Sequence, residues 1–167
     1  MNIGRVKNYI NQNNFILDFE TDGIGMTWGV SYVRLTIGIK SKFENIEHFF
    51  FSTLKSEKNQ TSGIVGQPTW AEKTDLIQWS ENLKIEAIKK EELIQFIDAS
   101  IKGILEHEKY WQKENSINLG LLDISKAYGE CFLIHETFLP RHFINSTDIY
   151  LTSDETNYYC FEGHWES

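Results

Sequence analysis

Cysteine, proline and long apolar runs are all scarce in this chain of 167 residues, which has two cysteines and two prolines. No stretch approaches the length of a membrane span, about 18 apolar residues. With so few prolines, 14% aromatic and 41% hydrophobic residues, the composition argues against intrinsic disorder and a packed core is expected. The opening Met1-Asn2-Ile3-Gly4-Arg5-Val6-Lys7 lacks the apolar segment of a signal peptide, so a cytosolic protein is expected. In that compartment Cys131 and Cys160 are expected to stay reduced. Bases are few as well: 16 Lys and Arg against 24 Asp and Glu leave a net charge of −8. Sequence-independent nucleic-acid binding draws its affinity from neutralised phosphates, which this balance disfavours. The nucleophile elbow, the phosphate loop and the dinucleotide-binding glycine pattern are missing. Gly23 to Gly29 has glycines in the wrong order and reads as turn residues.

What is present divides by charge. The last 52 residues carry −6 of the −8 together with nine aromatic rings, whereas the first 115 are nearly balanced. The hydrophobic pattern predicts a buried strand at Phe15 to Phe19, bends through Gly29, and an alternating strand within Val30 to Lys40. Ile46 to Leu54, with Phe49, Phe50 and Phe51 in a row, reads as a third strand of that meander. Lys55 to Pro68 reads as the longest exposed loop, and Thr69-Trp70-Ala71-Glu72 as a capping box opening a short helix to about Ser80. Leu83, Ile85 and Ala87 alternate as a strand. Glu91 to Trp111 places Leu93, Ile94, Ile97, Ile101, Ile104 and Leu105 at helical spacing and is the clearest element. Leu119 to Phe138 fits neither period. Asp148 to Thr152 and Asn157 to Glu162 flank a turn as a terminal hairpin. The expectation is one α+β domain over 1–167: a largely antiparallel sheet, one long amphipathic helix at about 91–111, and one or two shorter helices.

Three constellations bear on chemistry. Leu17-Asp18-Phe19-Glu20-Thr21-Asp22-Gly23 resembles the first motif of the DEDD-type 3′–5′ exonucleases. That resemblance implies metal held by Asp18 and Glu20, which share one side of a strand. It covers residues 15 to 54. The nearest candidates for the later acidic motifs, residues 118–123 and His142 to Asp148, depart from the family's spacing by one residue. Cys131-x-x-x-His135 and Cys160-x-x-x-His164 repeat a spacing that suits zinc only on a helix. A Cys131 nucleophile with His135 or His142 as base lacks a recognisable third partner. No metal site, cofactor or catalytic residue is therefore expected.

The acidic, aromatic third supplies the leading expectation. Asp148, Asp154, Glu155, Tyr158, Tyr159, Glu162, Trp165 and Glu166 combine carboxylates that can imitate phosphates with rings that can anchor an interface. At class level this resembles the immunity proteins of bacterial toxin systems, small acidic cytosolic domains that block a toxin. The resemblance implies a non-enzymatic binding protein, monomeric or weakly dimeric. Its partner would be a basic protein, a cognate toxin domain such as a nuclease, with neither nucleic acid nor membrane bound. The exonuclease-like protein is the competing expectation.

Overall fold

Among the described residues six strands form one sheet in the order β1-β2-β6-β5-β4-β3, every neighbouring pair antiparallel. The computed structural model describes residues 1–12, 24–30, 33–61, 81, 83–111, 128–135 and 148–163. In chain order these make helix α1 (Ile3–Gln12), strands β1 (Ile24–Val30) and β2 (Val33–Ile39), a 3-10 turn (Lys40–Lys42) and helix α2 (Ile46–Thr61). Strand β3 (Lys84–Ile88), helix α3 (Lys90–Trp111) and strands β4 (Cys131–His135), β5 (Asp148–Ser153) and β6 (Asn157–Gly163) follow. The fold is α+β, as expected, with the helix at 91–111 and the terminal hairpin where the pattern puts them.

The sheet is covered on both faces, and strand alternation sorts the core. Cys160, Ile149, Leu151, Phe132 and Ile134 pack beneath α1 and α2 with Val6, Phe49, Phe50 and Phe51. Leu35, Phe161, Tyr159 and Cys131 pack on the other face with Leu93 and Ile97 of α3 and with Tyr128. Cys131 and Cys160 therefore occupy opposite faces, which rules out a disulfide or a single metal site between them; both are free thiols.

Three expectations are corrected. Ile46 to Leu54 is helical, not a strand. Asn45 caps it, its Oδ1 accepting from the His48 amide at 2.9 Å, while His48 Nδ1 accepts from the Glu44 amide at 3.3 Å. Phe49, Phe50 and Phe51 are all buried because α2 lies between α1 and the sheet. A continuous apolar run fits a helix buried on several sides as well as it fits a strand, and here the cap decides. The helix continues to Thr61, so the front half of the expected 55–68 loop is helical. Likewise Ile24–Val30 is a strand, not a series of bends. Its register shifts between Ile24 and Met26, so Gly25 marks an irregularity inside a paired strand. Expectations for Phe15 to Phe19, Thr69 to Ser80, and most of Leu119 to Phe138 outside β4 lie outside the described residues.

The sequence pattern does not announce α1. Asn2 caps it through Gly4 N–H at 2.8 Å, and Glu47, only 3% exposed, accepts from the Asn2 amide and sits 3.9 Å from Arg5. Tyr9 stacks on His48 and donates to Glu44 at 2.6 Å. Two polar contacts thus tie α1 to the start of α2. Close approach of α2 to the sheet needs Gly38, since a Cβ there would meet the Phe49 ring at 2.5 Å and Phe43 at 2.8 Å.

Candidate functional site

The expected contact residues cluster on the β5–β6 hairpin, whose turn is organised by one carboxylate. Asp154 Oδ1 accepts from the Thr156 and Asn157 amides, both at 2.7 Å, and from the Thr156 hydroxyl at 3.2 Å. Its Oδ2 accepts from the Tyr159 hydroxyl at 2.5 Å, and its amide donates to the Asn157 carbonyl at 3.0 Å. An aspartate at the first turn position commonly ties down the next backbone amides in this way. Burial works to raise the Asp154 carboxyl, but the hydrogen bonds from Tyr159, Asn157 and Thr156 outweigh it and hold the group below the ordinary carboxylate range. Burial, then the Asp154 bond, push the Tyr159 phenol up to about 12.

Neighbouring strands grip the same tip. Lys40 N–H donates to the Thr156 carbonyl at 2.9 Å and Gly129 N–H to the Ser153 carbonyl at 2.8 Å. The Thr152 hydroxyl donates to the Glu130 carbonyl at 3.0 Å. Glu155 and Glu130 are left exposed beside each other's elements at this end of the sheet. Lys40 lies 5.3 Å above the Tyr158 ring, and Lys42, Lys89 and Lys90 belong to the same end, so the surface is mixed in sign. Glu130 and Lys40 are members that the sequence reading passed over. Only strand pairing brings them to the turn.

The eight expected contact residues do not share one surface. Glu155 is exposed, while Asp154 and Tyr158 are half-buried, the latter stacked on Phe49. Tyr159 is 2% exposed within the α3-side core and Glu162 is 5% exposed, opposite Arg34 and Ile149 in register. Neither is available to a partner at the surface, which corrects the expectation for both. The signal was legible: Tyr158-Tyr159-Cys160-Phe161 is a continuous apolar run, and a strand that reads so is buried on both faces. Asp148 opens β5 opposite His135. Trp165 and Glu166 lie outside the described residues.

Other candidate chemistry is constrained by the same geometry. The Cys131 thiol contacts the Thr152 hydroxyl at 3.4 Å and is raised by burial, against the opposing effects of Thr152 and Lys90, so at neutral pH it is a thiol and not the nucleophilic thiolate. His135 lies four residues along the same extended strand, about 13 Å away, and bonds Glu86 at 3.2 Å instead. Among the described residues no group of three His, Cys, Asp or Glu side chains is placed to hold a metal ion, and no helix is long and apolar enough to cross a membrane. Asp18, Glu20 and Asp123 lie outside the described residues. Compared with protein families, curated proteins and solved structures, the chain matches none.

Proposed function

We propose that this protein is a non-enzymatic binding protein of the toxin-immunity kind. In this reading it acts in the cytoplasm and docks a basic partner, a cognate toxin domain, on the hairpin end of its sheet. The observation that carries the reading is the Asp154-locked turn: it holds Glu155 exposed on a hydrogen-bonded tip, with Glu130 exposed where the neighbouring strand begins. Pre-ordering a loop reduces the entropy lost on binding, and fixed carboxylates steer a cationic partner. The net charge of −8 adds long-range attraction for such a partner. Of the earlier contact set, Asp154 serves as the organiser of the turn and Tyr158 and Glu155 remain as contacts, while Asp148 opens β5 at the far end of the hairpin.

Co-expression tests it. A toxin encoded beside this protein should lose its toxicity in a host that carries both, and Glu155→Lys with Glu130→Lys should restore killing without unfolding the inhibitor. A neighbouring gene that encodes no toxin, or manganese-dependent cleavage of single-stranded DNA that Asp18→Ala abolishes, overturns the proposal.

A further inference from the structure

Strand β3 ends the sheet, and among the described residues no strand pairs with its outer side. It is five residues long, Lys84-Ile85-Glu86-Ala87-Ile88, with Lys84, Glu86 and Ala87 exposed and Ile85 half-buried. An open strand edge offers unpaired amides and carbonyls to another strand unless its side chains forbid it. Here they select one partner. In an antiparallel pair, opposing residues point to the same face, so a two-fold axis normal to the sheet must pass through a residue.

Each residue of β3 on that axis can be judged in turn. An axis through Glu86 opposes Glu86 to its own copy and Lys84 to Ile88. An axis through Lys84 opposes two ammonium groups. An axis through Ala87 leaves Glu86 facing Ile88, and one through Ile88 pairs only Ala87 to Lys89 before helix α3 begins at Lys90. An axis through Ile85 sets Lys84 opposite Glu86 twice over on the α3 face. It also sets Ile85 on Ile85 and Leu83 opposite Ala87 on the face that α1 and α2 cover. Opposite-charge and apolar cross-strand pairs stabilise; like charges directly opposite do not. Lys84 makes no ion pair among the described residues, and Glu86 is held on its face by His135 at 3.2 Å while its side chain stays 65% exposed. Helix α3 starts just past β3 and leaves the edge clear, since Phe96 stacks on Tyr150 at 4.3 Å and Ile97 joins the Leu35 cluster farther across the sheet.

We infer that two copies of this chain pair antiparallel through β3 in the register centred on Ile85, joining their sheets into one. The inference stands on a different edge from the proposed partner site and does not depend on it. Sedimentation equilibrium on the full chain tests it, with circular dichroism to confirm that each variant is folded. The wild-type protein should show a concentration-dependent mass rising towards twice 19.5 kDa. Glu86→Lys and Lys84→Glu each convert two attractive pairs into repulsive ones and should weaken the dimer by about tenfold or more. The double variant K84E/E86K regenerates the pairs and should restore the wild-type dissociation constant. A chain that sediments at 19.5 kDa up to millimolar concentration overturns the inference, as does a dimer indifferent to the single reversals or a double variant as weak as the singles.

Discussion

Removing the Asp154 carboxylate should cost more stability than any other single change at the protein's surface. Asp154→Ala deletes the acceptor of two backbone amides, the Thr156 hydroxyl and the Tyr159 hydroxyl. A hydrogen bond to a charged group contributes about 1.5–3 kcal/mol, but these four share one half-exposed carboxylate and are not additive, so a total of about 2–4 kcal/mol is expected. Tyr159→Phe removes a single bond and should cost about 1–2 kcal/mol, and in the double variant the coupling should be of similar size. For a chain of this length, 3 kcal/mol corresponds to a fall in Tm of about 6–12 °C. Urea titration of the four proteins measures the cycle. The pH dependence supplies an independent check with a defined sign. Because the folded Asp154 titrates below its ordinary value of 3.8, its stabilisation is complete above that pH and is lost as pH falls through the folded value. Tyr159, raised from 10.0 to about 12, stabilises fully below pH 10 and loses that contribution as pH climbs towards 12. Asp154→Ala should flatten the acid limb and lower the alkaline one. A cost below about 0.5 kcal/mol, within the range of an ordinary surface substitution, together with an unchanged acid limb, would refute the account of the turn.

Further outcomes follow from packing and from the charge of the tip. Gly38→Ala must move the Phe49 ring, which is wholly buried, and should destabilise by about 1–3 kcal/mol in thermal unfolding. Ile97→Asp places a charge in the α3-side core at a position 2% exposed and should leave no cooperative unfolding transition, whereas Lys102→Ala, in an exposed pair with Glu106 at 3.9 Å, should stay within about 0.5 kcal/mol of wild type. Glu47→Ala removes the acceptor of the Asn2 amide and the Arg5 pair, so hydrogen exchange of the α1 amides should quicken while that of β5 and β6 is unchanged. Glu155→Lys should slow association with a basic partner and weaken its salt dependence, read by stopped flow, with the melting temperature unaltered.

Several elements were determined by the sequence itself, because their information is local. Alternation from Val33 to Ile39 and helical spacing from Leu93 to Ile101 each specify a period that only one secondary structure satisfies, and the turn residues Ser153 to Thr156 mark the short apolar runs on either side as a hairpin. The acidic imbalance of the last third was legible in the same way. Tertiary structure decided the rest. Phe49, Phe50 and Phe51 satisfy either period, and it is the Asn45 cap, with burial between α1 and the sheet, that makes them helical. The apolar run from Tyr158 to Phe161 marks Tyr159 for burial, but Asp154 and Glu162 look alike as acidic residues near the C-terminus. The first became a turn organiser and the second went inside because helices cover both faces of the sheet and β6 runs through its middle. Which carboxylates reach solvent is a property of layer order, and no window of sequence contains it. Glu130 reaches the hairpin tip for the same reason: antiparallel pairing of β4 with β5 brings together residues more than 20 positions apart.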